Sequence, residues 1–311
     1  MQLKLNRYSP VEKKRWNSLI DSSINGTFLF NRNYMEYHSD RFIDHSITIY
    51  NNIDLVAVIP ATVKGDTFIS HGGLTYGGLI HDHRINTKNT LEIFDLLLTY
   101  LSKIGINKII YKTIPHIYHI KPCEEDLYAL FRYNFELFRR DPSSTINLQN
   151  SSVPGKKLNR FKKLSNEGIK IVDTKDSSQL IDVIKKNLIK QYGVSPVHTS
   201  DELNLLKSRF PKNIIFYEAY INNMFLGGTI LYLTKNVVHV QYMAATEIGY
   251  ELRLFDYLFT CLTDFYKNAF HWFDFGISSE NDGKYLNTGL IAQKEGFNAS
   301  TVCYDFYRIS I

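Results

Sequence analysis

The segment Tyr50-Asn51-Asn52-Ile53-Asp54-Leu55 has a counterpart in Ile221-Asn222-Asn223-Met224-Phe225-Leu226, 171 residues further along the chain (222 − 51 = 171). The Asn-Asn pair is typical of a hairpin turn, because asparagine tolerates the left-handed backbone conformation that tight turns need. Lys64 and Lys235 match at the same spacing, so the register holds across two predicted strands without a gap. A repeat of this period predicts two copies of one structural unit.

A predicted helix follows the strands in each copy and carries a second shared pattern. Phe94-Asp95-x-Leu97-x-Thr99-x-Leu101 matches Phe255-Asp256-x-Leu258-x-Thr260-x-Leu262, at a spacing of 161 residues (255 − 94 = 161). The apolar residues recur at the spacing of an amphipathic helix. The N-terminal copy therefore has ten more residues between its strands and its helix (171 − 161 = 10). A chance likeness between two amphipathic segments is the alternative explanation.

The predicted elements have the same order in both halves. The first half has helices over 9–22, near 33–42 and through 91–101, and strands within 45–59, at 67–70 and at 106–112. The second half has helices at 178–192, from 201 after an N-cap at Ser200, and over 252–266, and strands at 214–220, 225–233, 237–244 and 272–275. We expect an α+β fold of two tandem domains, 1–148 and 149–311, each a mixed, mostly antiparallel sheet flanked by helices. Their boundary lies near 147–155, where turn-forming residues cluster.

The composition of the 311-residue chain is that of an ordinary globular protein, with 44% hydrophobic and 22% charged residues. A net charge of +5 weakly favours anionic partners but does not choose among phosphates, nucleotides, RNA and lipid headgroups. Cys123, Cys261 and Cys303 match neither a disulfide framework nor a structural zinc spacing, which fits a reducing compartment. No apolar run has the length of a signal peptide or membrane span. We expect a soluble, cytoplasmic protein without a transmembrane segment.

Several phrases carry a resemblance to a known family. The element order, with Gln293-Lys294-Glu295-Gly296-Phe297 before a last strand, resembles the GNAT acetyltransferase pattern. A doubled unit resembles the Fem-type aminoacyltransferases of peptidoglycan synthesis. Ser70-His71-Gly72-Gly73-Leu74-Thr75-Tyr76-Gly77-Gly78 and Asp274-Phe275-Gly276-Ile277-Ser278 resemble a related branch associated with cell-surface polysaccharide genes. The resemblance implies an acyltransferase, although the long helical arm of the classical Fem enzymes has no counterpart in this sequence.

The same resemblance implies a donor site in the second copy. GNAT domains bind the acyl-CoA pyrophosphate with backbone N–H groups at the start of the helix after the central strand, where the helix dipole favours anions. Here that turn is 245–250, and its candidate cofactor-binding residues are Ala245, Thr246, Gly249 and Tyr250. The turn has only one glycine and adds Glu247, so an ordinary strand-to-helix connection is the alternative.

Three residues are candidates for acid–base catalysis. Asp274 lies within an apolar strand, where a carboxylate needs a partner or a raised pKa, and a raised pKa suits a general base. A carboxylate that caps the backbone after the strand is the alternative. His71 in the glycine-rich loop is a second candidate acid or base, and Glu280 is a weaker one.

The candidate substrate contacts fall into three groups. Glycines around a tyrosine would let a substrate approach the backbone closely, unless the loop is simply tightly turned. A predicted helix face combines aromatic rings with a cation, although core packing explains that face equally well. The candidates are Tyr76, Gly77 and Gly78 in the loop, Arg32, Tyr37 and His38 on the helix, and Gln241, Tyr242, Ser278 and Lys294 in the second half.

Metal and nucleic-acid signals are weak. His116-x-x-His119 and His81-x-His83 have no cysteine or carboxylate at a recognised spacing, so we expect no metal. The basic run 156–163 resembles the helix that opens the second Fem domain and could contact RNA or a pyrophosphate-lipid headgroup, but a solvated helix face is the ordinary explanation.

We therefore expect transfer of an acetyl or acyl group from acyl-CoA to an amine or hydroxyl of a cell-envelope sugar, polysaccharide or peptidoglycan precursor. The partners would be a small-molecule donor and this acceptor, without DNA. A Fem-like transferase that uses aminoacyl-tRNA is one alternative. A non-catalytic binding or scaffold protein is the other.

Overall fold

The computed structural model describes residues 2–150 and 154–311, without the side chains of residues 156, 160, 191 and 192. The chain forms two compact units: Met1–Pro142 with Ser279–Tyr285 and Cys303–Ile311, and Ser143–Ser278 with Leu286–Val302. Part of the predicted boundary cluster, 151–153, lies outside the described residues. Within the described part of the chain, no helix combines the length and apolar character needed to cross a bilayer.

The N-terminal part of the chain contains many short elements. Its strands are β1 (Leu3–Arg7), β2 (Ile43–Asp44), β3 (Ile47–Asn51), β4 (Asp54–Ile59), β5 (Thr62–Lys64), β6 (Thr67–Ile69), β7 (Ile80–His81), β8 (Lys108–Lys112) and β9 (Glu136–Asn147). Its helices are α1 (Lys13–Ser22), α2 (Arg32–Met35), α3 (Thr87–Lys103) and α4 (Glu125–Arg132), with 3-10 turns at Pro10–Glu12, Phe28–Phe30, Glu36–His38 and His116–Tyr118.

The remaining elements follow from Gly155 onwards. They begin with α5 (Gly155–Asn166), β10 (Lys170–Thr174), α6 (Ser178–Tyr192), α7 (Ser200–Arg209), β11 (Ile214–Ile221), β12 (Met224–Leu233) and β13 (Val237–Ala245). They continue with α8 (Glu247–Glu251), α9 (Leu254–Tyr266), β14 (Trp272–Ile277), β15 (Ser279–Glu280), β16 (Tyr285–Leu286), α10 (Thr288–Glu295) and β17 (Ser300–Ser310).

Each unit contains a parallel strand pair joined through helices. In the first unit β6 runs parallel to β8, with Thr67 opposite Lys108, and α3 lies between them in sequence. In the second unit β13 runs parallel to β14, with Val237 opposite Trp272, and α8 and α9 intervene. Antiparallel pairs precede both, β3 with β4 and β11 with β12. This confirms the predicted α+β fold with mixed, mostly antiparallel sheets.

The sheets differ in how they are divided. In the first unit, β1-β3-β4-β7 form one sheet, and β2-β5-β6-β8 together with β17 belong to another. In the second unit, β10-β11-β12-β13-β14 follow one another in a single sheet, and β14 pairs antiparallel with the later part of β9, Trp272 opposite Asn147.

The repeated Asn-Asn pairs lie in hairpin turns that are offset by one residue. Asn52 has a φ of 56°, and Asn222 and Asn223 have φ values of 47° and 65°, all in the left-handed region. Asparagine occupies that region at lower cost than most residues. The flanking strand pairs are Asn51 with Asp54 and Ile221 with Met224, so the two turns correspond at a spacing of 170 residues (221 − 51 = 170), one less than the sequence match.

Two predicted helix starts are wrong, for local reasons. Helix α7 is capped by Thr199 instead of Ser200, because Glu202 N donates to Thr199 Oγ1 (3.2 Å) and Thr199 N donates to Glu202 Oε2 (2.8 Å), which closes a capping box. The helix predicted around 252–266 is α9, which begins two residues later, at Leu254, because Arg253 with a φ of 56° separates it from α8.

The helix predicted over 33–42 is also shorter than expected. Helix α2 ends at Met35 and continues as a 3-10 turn to His38. Arg41 N then donates to His38 O (3.0 Å), a bond across three residues that tightens the chain and stops helical propagation.

Packed phenylalanine rings form one part of the core of the second unit. Phe259 on α9 is 1% exposed, and its ring centroid lies 5.1 Å from that of Phe275, 5.9 Å from Phe273 and 6.0 Å from Phe297. Such edge-to-face contacts add to the free energy gained by burying the rings. They join α9 to β14, the strand that carries Asp274.

Replacing Phe259 by alanine therefore tests this core. We expect Phe259→Ala to lower the free energy of unfolding by roughly 3–5 kcal/mol, because a large buried ring leaves a cavity. Phe265 lies on the same helix but is 70% exposed, so Phe265→Ala should change stability by less than about 1 kcal/mol. Urea unfolding of the two variants gives the comparison, and equal effects would contradict this description of the core.

Candidate functional site

Asp274 is fully buried on β14 and is surrounded by hydrogen-bond donors. Its Oδ2 lies 2.8 Å from His239 Nδ1. Its Oδ1 accepts hydrogen bonds from Ser143 Oγ at 2.5 Å, Thr145 Oγ1 at 3.1 Å and Gly276 N at 3.1 Å. Donors of this kind favour the ionised carboxylate. Asp274 thus has the surroundings of a positioned acceptor, and the backbone N–H at Gly276 matches the capping alternative.

His239 completes this pair and was not identified from the sequence. It lies on β13 directly opposite Asp274, with 13% of its side chain exposed. Because an ionised carboxylate only accepts, His239 Nδ1 carries the hydrogen, and Nε2 is the ring atom that can take up a proton. The sequence offered one signal, a histidine between the buried Val238 and Val240.

The two strands separate just beyond this pair. In the part of the chain that the structure describes, their parallel pairing runs from Val237 and Trp272 to His239 and Asp274, whereas β13 continues to Ala245. Gly276 has a φ of 77°, which a glycine adopts without strain and which bends β14. A strand edge released in this way offers backbone groups that an extended ligand can pair with.

Lys294 on α10 holds the bend. Its Nζ donates hydrogen bonds to Gly276 O at 2.8 Å, Ile277 O at 2.8 Å and Ser278 Oγ at 2.9 Å. Lys294 is 4% exposed, and burial lowers its pKa to about 8. An ammonium group has three N–H donors, and here three protein acceptors engage them. The candidate substrate contacts Lys294 and Ser278 therefore bind each other and shape the end of β14.

Two cavities flank Tyr250. The first has a volume of about 610 Å³, and Lys186, Asn187 and Lys190 of α6 and the turn residues Thr246, Glu247 and Tyr250 contribute to its lining. The second has a volume of about 520 Å³, and its lining includes Gly249, Tyr250, Arg253, Lys157 and Asp256. Three of the four candidate cofactor-binding residues thus line cavities. Ala245 lies beside them, its carbonyl accepting from Asn187 Nδ2 at 3.1 Å.

Gly249 is explained by packing. A Cβ atom there would lie 2.1 Å from Leu226 O, so any larger residue would push α8 away from β12. The Gly249 N–H donates to Thr246 Oγ1 at 3.1 Å, which caps α8. The single glycine of this turn therefore serves the close approach of a helix to a strand.

The glycine-rich loop of the first unit is packed in a similar way. A Cβ on Gly77 would lie 2.2 Å from Ser70 O, and Gly78, with a φ of 99°, would place one 2.7 Å from Tyr111 Oη. Tyr76 is 2% exposed, and its ring contacts that of Tyr118 at a centroid distance of 4.5 Å. These three candidate substrate contacts pack inside the first unit.

His71 belongs to the same loop and is 3% exposed. Burial, with smaller contributions from His38 and Lys112, lowers its pKa to about 3. A histidine with that pKa is a weak base at neutral pH. Lys112 Nζ donates to His71 O (2.9 Å) and to Leu74 O (2.6 Å), and so fixes the loop against β8.

The remaining candidates of the first unit are mostly internal. Arg32 is 4% exposed and pairs with Asp44 at 2.6 Å and Glu36 at 3.2 Å. The ring of Tyr37 stacks on that of His38 at a centroid distance of 4.3 Å. This contact fits the alternative explanation, in which the helix face packs in the core. Glu280 lies on the short strand β15.

Gln241 and Tyr242 lie on β13 of the second unit. The Tyr242 hydroxyl lies 2.8 Å from His198 Nδ1, and burial raises its pKa. The candidates accordingly fall into two sets. The first unit holds Arg32, Tyr37, His38, His71, Tyr76, Gly77, Gly78 and Glu280, and the second holds Gln241, Tyr242, Ala245, Thr246, Gly249, Tyr250, Asp274, Ser278 and Lys294.

Three side chains of types that can bind a metal ion lie together in the first unit. Ligand atoms of His81, Cys123 and Glu125 lie within 4.8 Å of one another. The sequence spacing did not predict this set, because the residues come from separate segments.

Solved structures share this architecture at low sequence identity. FemX has a TM-score of 0.70 and 8% identity, covering 99% of this chain and 97% of its own. L-PGS from Bacillus licheniformis has a TM-score of 0.58 and 12% identity, covering 85% and 83%. A tandem GNAT protein from the clavulanic acid biosynthesis pathway has a TM-score of 0.55 and 9% identity, covering 99% and 98%. No family model and no curated protein matches the sequence. The chain has a Fem-like tandem-GNAT fold, as the sequence predicted.

The buried ammonium of Lys294 gives a pH-dependent prediction. Its pKa falls from 10.5 to about 8 on folding, so between these values the unfolded chain binds more protons and stability contributed by Lys294 rises with pH. Below pH 8 both states are protonated and the contribution is constant. From pH 8 to pH 10, we expect the free energy of unfolding of the native protein to rise by roughly 2–3 kcal/mol relative to that of Lys294→Met.

Urea unfolding at several pH values measures this difference. The variant Lys284→Met, at an exposed lysine, provides the baseline. If the free energy of unfolding of the native protein falls relative to that of Lys294→Met as pH rises, the lowered pKa of Lys294 is wrong.

Proposed function

We propose that this protein transfers an acyl group from acyl-CoA to an amine or hydroxyl of a cell-envelope sugar or its precursor. The observation that carries the proposal is the separation of β13 and β14 beyond His239 and Asp274. It combines an open strand edge with a histidine–carboxylate pair, and cavities adjoin the turn at the far end of β13. The tandem-GNAT fold supports the same class of reaction by analogy.

The donor pyrophosphate fits best in the smaller cavity, at the start of α9. Helix α9 has 13 residues, and its N-terminal end carries a partial positive charge that favours anions. Arg253 lines this cavity and is exposed. Lys157, which also lines it, is paired with Asp256 at 2.5 Å and therefore adds less net positive charge.

The pantetheine arm would follow the edge of β13 towards His239. Ala245 lies six positions beyond His239 on β13 (245 − 239 = 6), which is roughly 20 Å at about 3.3 Å per residue. An extended arm with two amide groups suits this edge, because its amides can pair with strand N–H and C=O groups. The thioester would then lie near the histidine–carboxylate pair.

The reaction needs no intermediate bound to the protein. The acceptor amine or hydroxyl attacks the thioester carbonyl carbon, and His239 Nε2 accepts the proton that this group loses. The new C–N or C–O bond forms as the C–S bond breaks, and the coenzyme A thiolate leaves and takes the proton from the His239 imidazolium, which restores the base. Asp274 stabilises the imidazolium and fixes its orientation, as in other histidine–carboxylate pairs. Asp274 is thus a positioning residue in this proposal, and His239 is the base.

A donor of the aminoacyl-tRNA class is the second candidate. Lys162 and Lys163 on α5 are exposed, as an RNA-contacting helix requires. Lys157 of the same run is engaged with Asp256, and the side chains of residues 156 and 160 lie outside the described residues. The engaged lysine and the cavity at α9 favour acyl-CoA.

Ligand-induced stabilisation tests the donor. Acetyl-CoA and free CoA should raise the melting temperature of the full chain, since binding to the folded state stabilises it. Arg253→Gln should weaken acetyl-CoA binding by about tenfold or more, because a charge-assisted contact to a phosphate is lost. Lys212→Gln, at an exposed lysine before β11, removes the same charge and should bind normally.

Bulk tRNA is the third ligand in this experiment. Stabilisation by tRNA alone, lost as salt is raised and weakened by Lys162→Gln, would replace acyl-CoA by aminoacyl-tRNA as the donor. Absence of any shift with all three ligands would overturn the transferase proposal in favour of a non-catalytic protein.

His239→Asn tests the base. The asparagine amide keeps an N–H for Asp274 but lacks Nε2, so the variant should fold while kcat falls by roughly 10²- to 10⁴-fold. Release of the CoA thiol from acetyl-CoA, with a panel of nucleotide-linked amino sugars as acceptors, measures turnover. His271→Asn, at an exposed histidine of the same unit, is the matched control. Unchanged turnover in His239→Asn would show that another group takes the proton.

A further inference from the structure

We propose that the first unit binds one zinc-class transition-metal ion between His81, Cys123 and Glu125. His81 Nε2 lies 3.3 Å from Cys123 Sγ and 4.0 Å from Glu125 Oε2. On a tetrahedral zinc ion with bonds of about 2.0–2.3 Å, neighbouring ligand atoms lie roughly 3.3–3.7 Å apart. The His81–Cys123 separation matches these values, and all three ligand atoms lie within 4.8 Å of one another, so side-chain rotations that bring Glu125 closer place the three atoms on one ion.

The imidazole of His81 already has the orientation of a metal ligand. Its Nδ1 lies 2.8 Å from Asp82 O, and because a carbonyl only accepts, Nδ1 carries the hydrogen. The lone pair is therefore on Nε2, which faces Cys123 and Glu125. A backbone carbonyl on the distal nitrogen is a common means of fixing the tautomer of metal-bound histidines.

The backbone around His81 is also fixed. Asn25 Oδ1 accepts from His81 N (3.2 Å), and Asn25 Nδ2 donates to Leu79 O (2.9 Å). Ile24 N donates to His81 O at 3.0 Å, and Ile120 N donates to Ile24 O at 2.9 Å. These bonds connect β7 to the segment that leads to Cys123, so the backbone that carries His81 and Cys123 is held in place before a metal binds.

Burial and charge favour a divalent ion. His81 is 3% and Cys123 4% exposed, and Glu125 Oε2 is a buried atom without a hydrogen-bond partner in the described residues. A buried carboxylate oxygen in this state is costly, and a bound cation would satisfy it. A thiolate, a carboxylate and a neutral imidazole around an M²⁺ ion give a net charge of zero. Because its net charge is zero, such a site is compatible with a position that has little contact with solvent.

The Cys123 thiol becomes a metal ligand when it loses its proton. Binding of M²⁺ replaces the thiol proton, forms the metal–sulfur bond and releases one H⁺ to solvent. A thiolate with an imidazole selects Zn²⁺ or Co²⁺ over Mg²⁺ and Ca²⁺. A water molecule would supply the fourth ligand.

Cobalt titration of the full chain, without a histidine tag and after treatment with a chelator, tests the site. We expect one equivalent of Co²⁺ to produce a thiolate-to-cobalt charge-transfer band and intense visible bands of tetrahedral geometry, and Zn²⁺ to remove both. Cys123→Ser should abolish the charge-transfer band. Cys261→Ser and Cys303→Ser should keep it, because those cysteines lie elsewhere.

Glu125→Gln provides a second variant in case Cys123→Ser folds poorly. Its side chain is 27% exposed, so the change should be tolerated, and we expect a loss of at least tenfold in Co²⁺ affinity. His83→Gln is the matched histidine control and should bind normally. Absence of the charge-transfer band in the native protein would overturn the proposal. Equal Co²⁺ affinity in Glu125→Gln and the native protein would also overturn it.

Discussion

The buried carboxylate of Asp274 places a strong constraint on the second unit. A carboxylate without solvent contact is stable only when hydrogen-bond donors surround it, and losing its partners costs several kcal/mol. The donors come from three strands: Ser143 and Thr145 on β9, Gly276 on β14 and His239 on β13. Their convergence fixes the register of these strands. The parallel pairing of β13 and β14 ends at His239 and Asp274, and the bend of β14 follows at Gly276.

Both units use a buried lysine to close a loop, but they take it from different elements. Lys112 on β8 binds the carbonyls of His71 and Leu74, and Lys294 on α10 binds those of Gly276 and Ile277. Each ammonium donates to two backbone carbonyl groups, and His71 O also accepts from Leu74 N at 3.3 Å. The two copies thus share an order of elements and a contact between a buried lysine and two carbonyl groups, although the lysine comes from a strand in one copy and from a helix in the other.

Much of the fold could be predicted from the sequence, because strand turns and helix faces have local causes. The turns at Asn52 and Asn223 and the apolar face of α9 are examples. Strand β9 could not be predicted, because its segment Arg139-Arg140-Asp141-Pro142 lacks apolar alternation and it pairs with residues distant in sequence. Asp274 was recognised as a charged residue in an apolar run, but its histidine partner was not. Two residues 35 positions apart (274 − 239 = 35) meet only through a parallel pairing.

The sheet of the first unit also sets an order of folding. Strand β8 pairs with β17 through Lys112 opposite Phe306 and Lys108 opposite Ser310, and the segment 303–311 is synthesised after the whole second unit. Until that segment emerges from the ribosome, one edge of β8 stays open to incorrect pairing. The N-terminal unit thus completes its sheet last, which slows folding through a long-range contact and prolongs the exposure of an aggregation-prone edge.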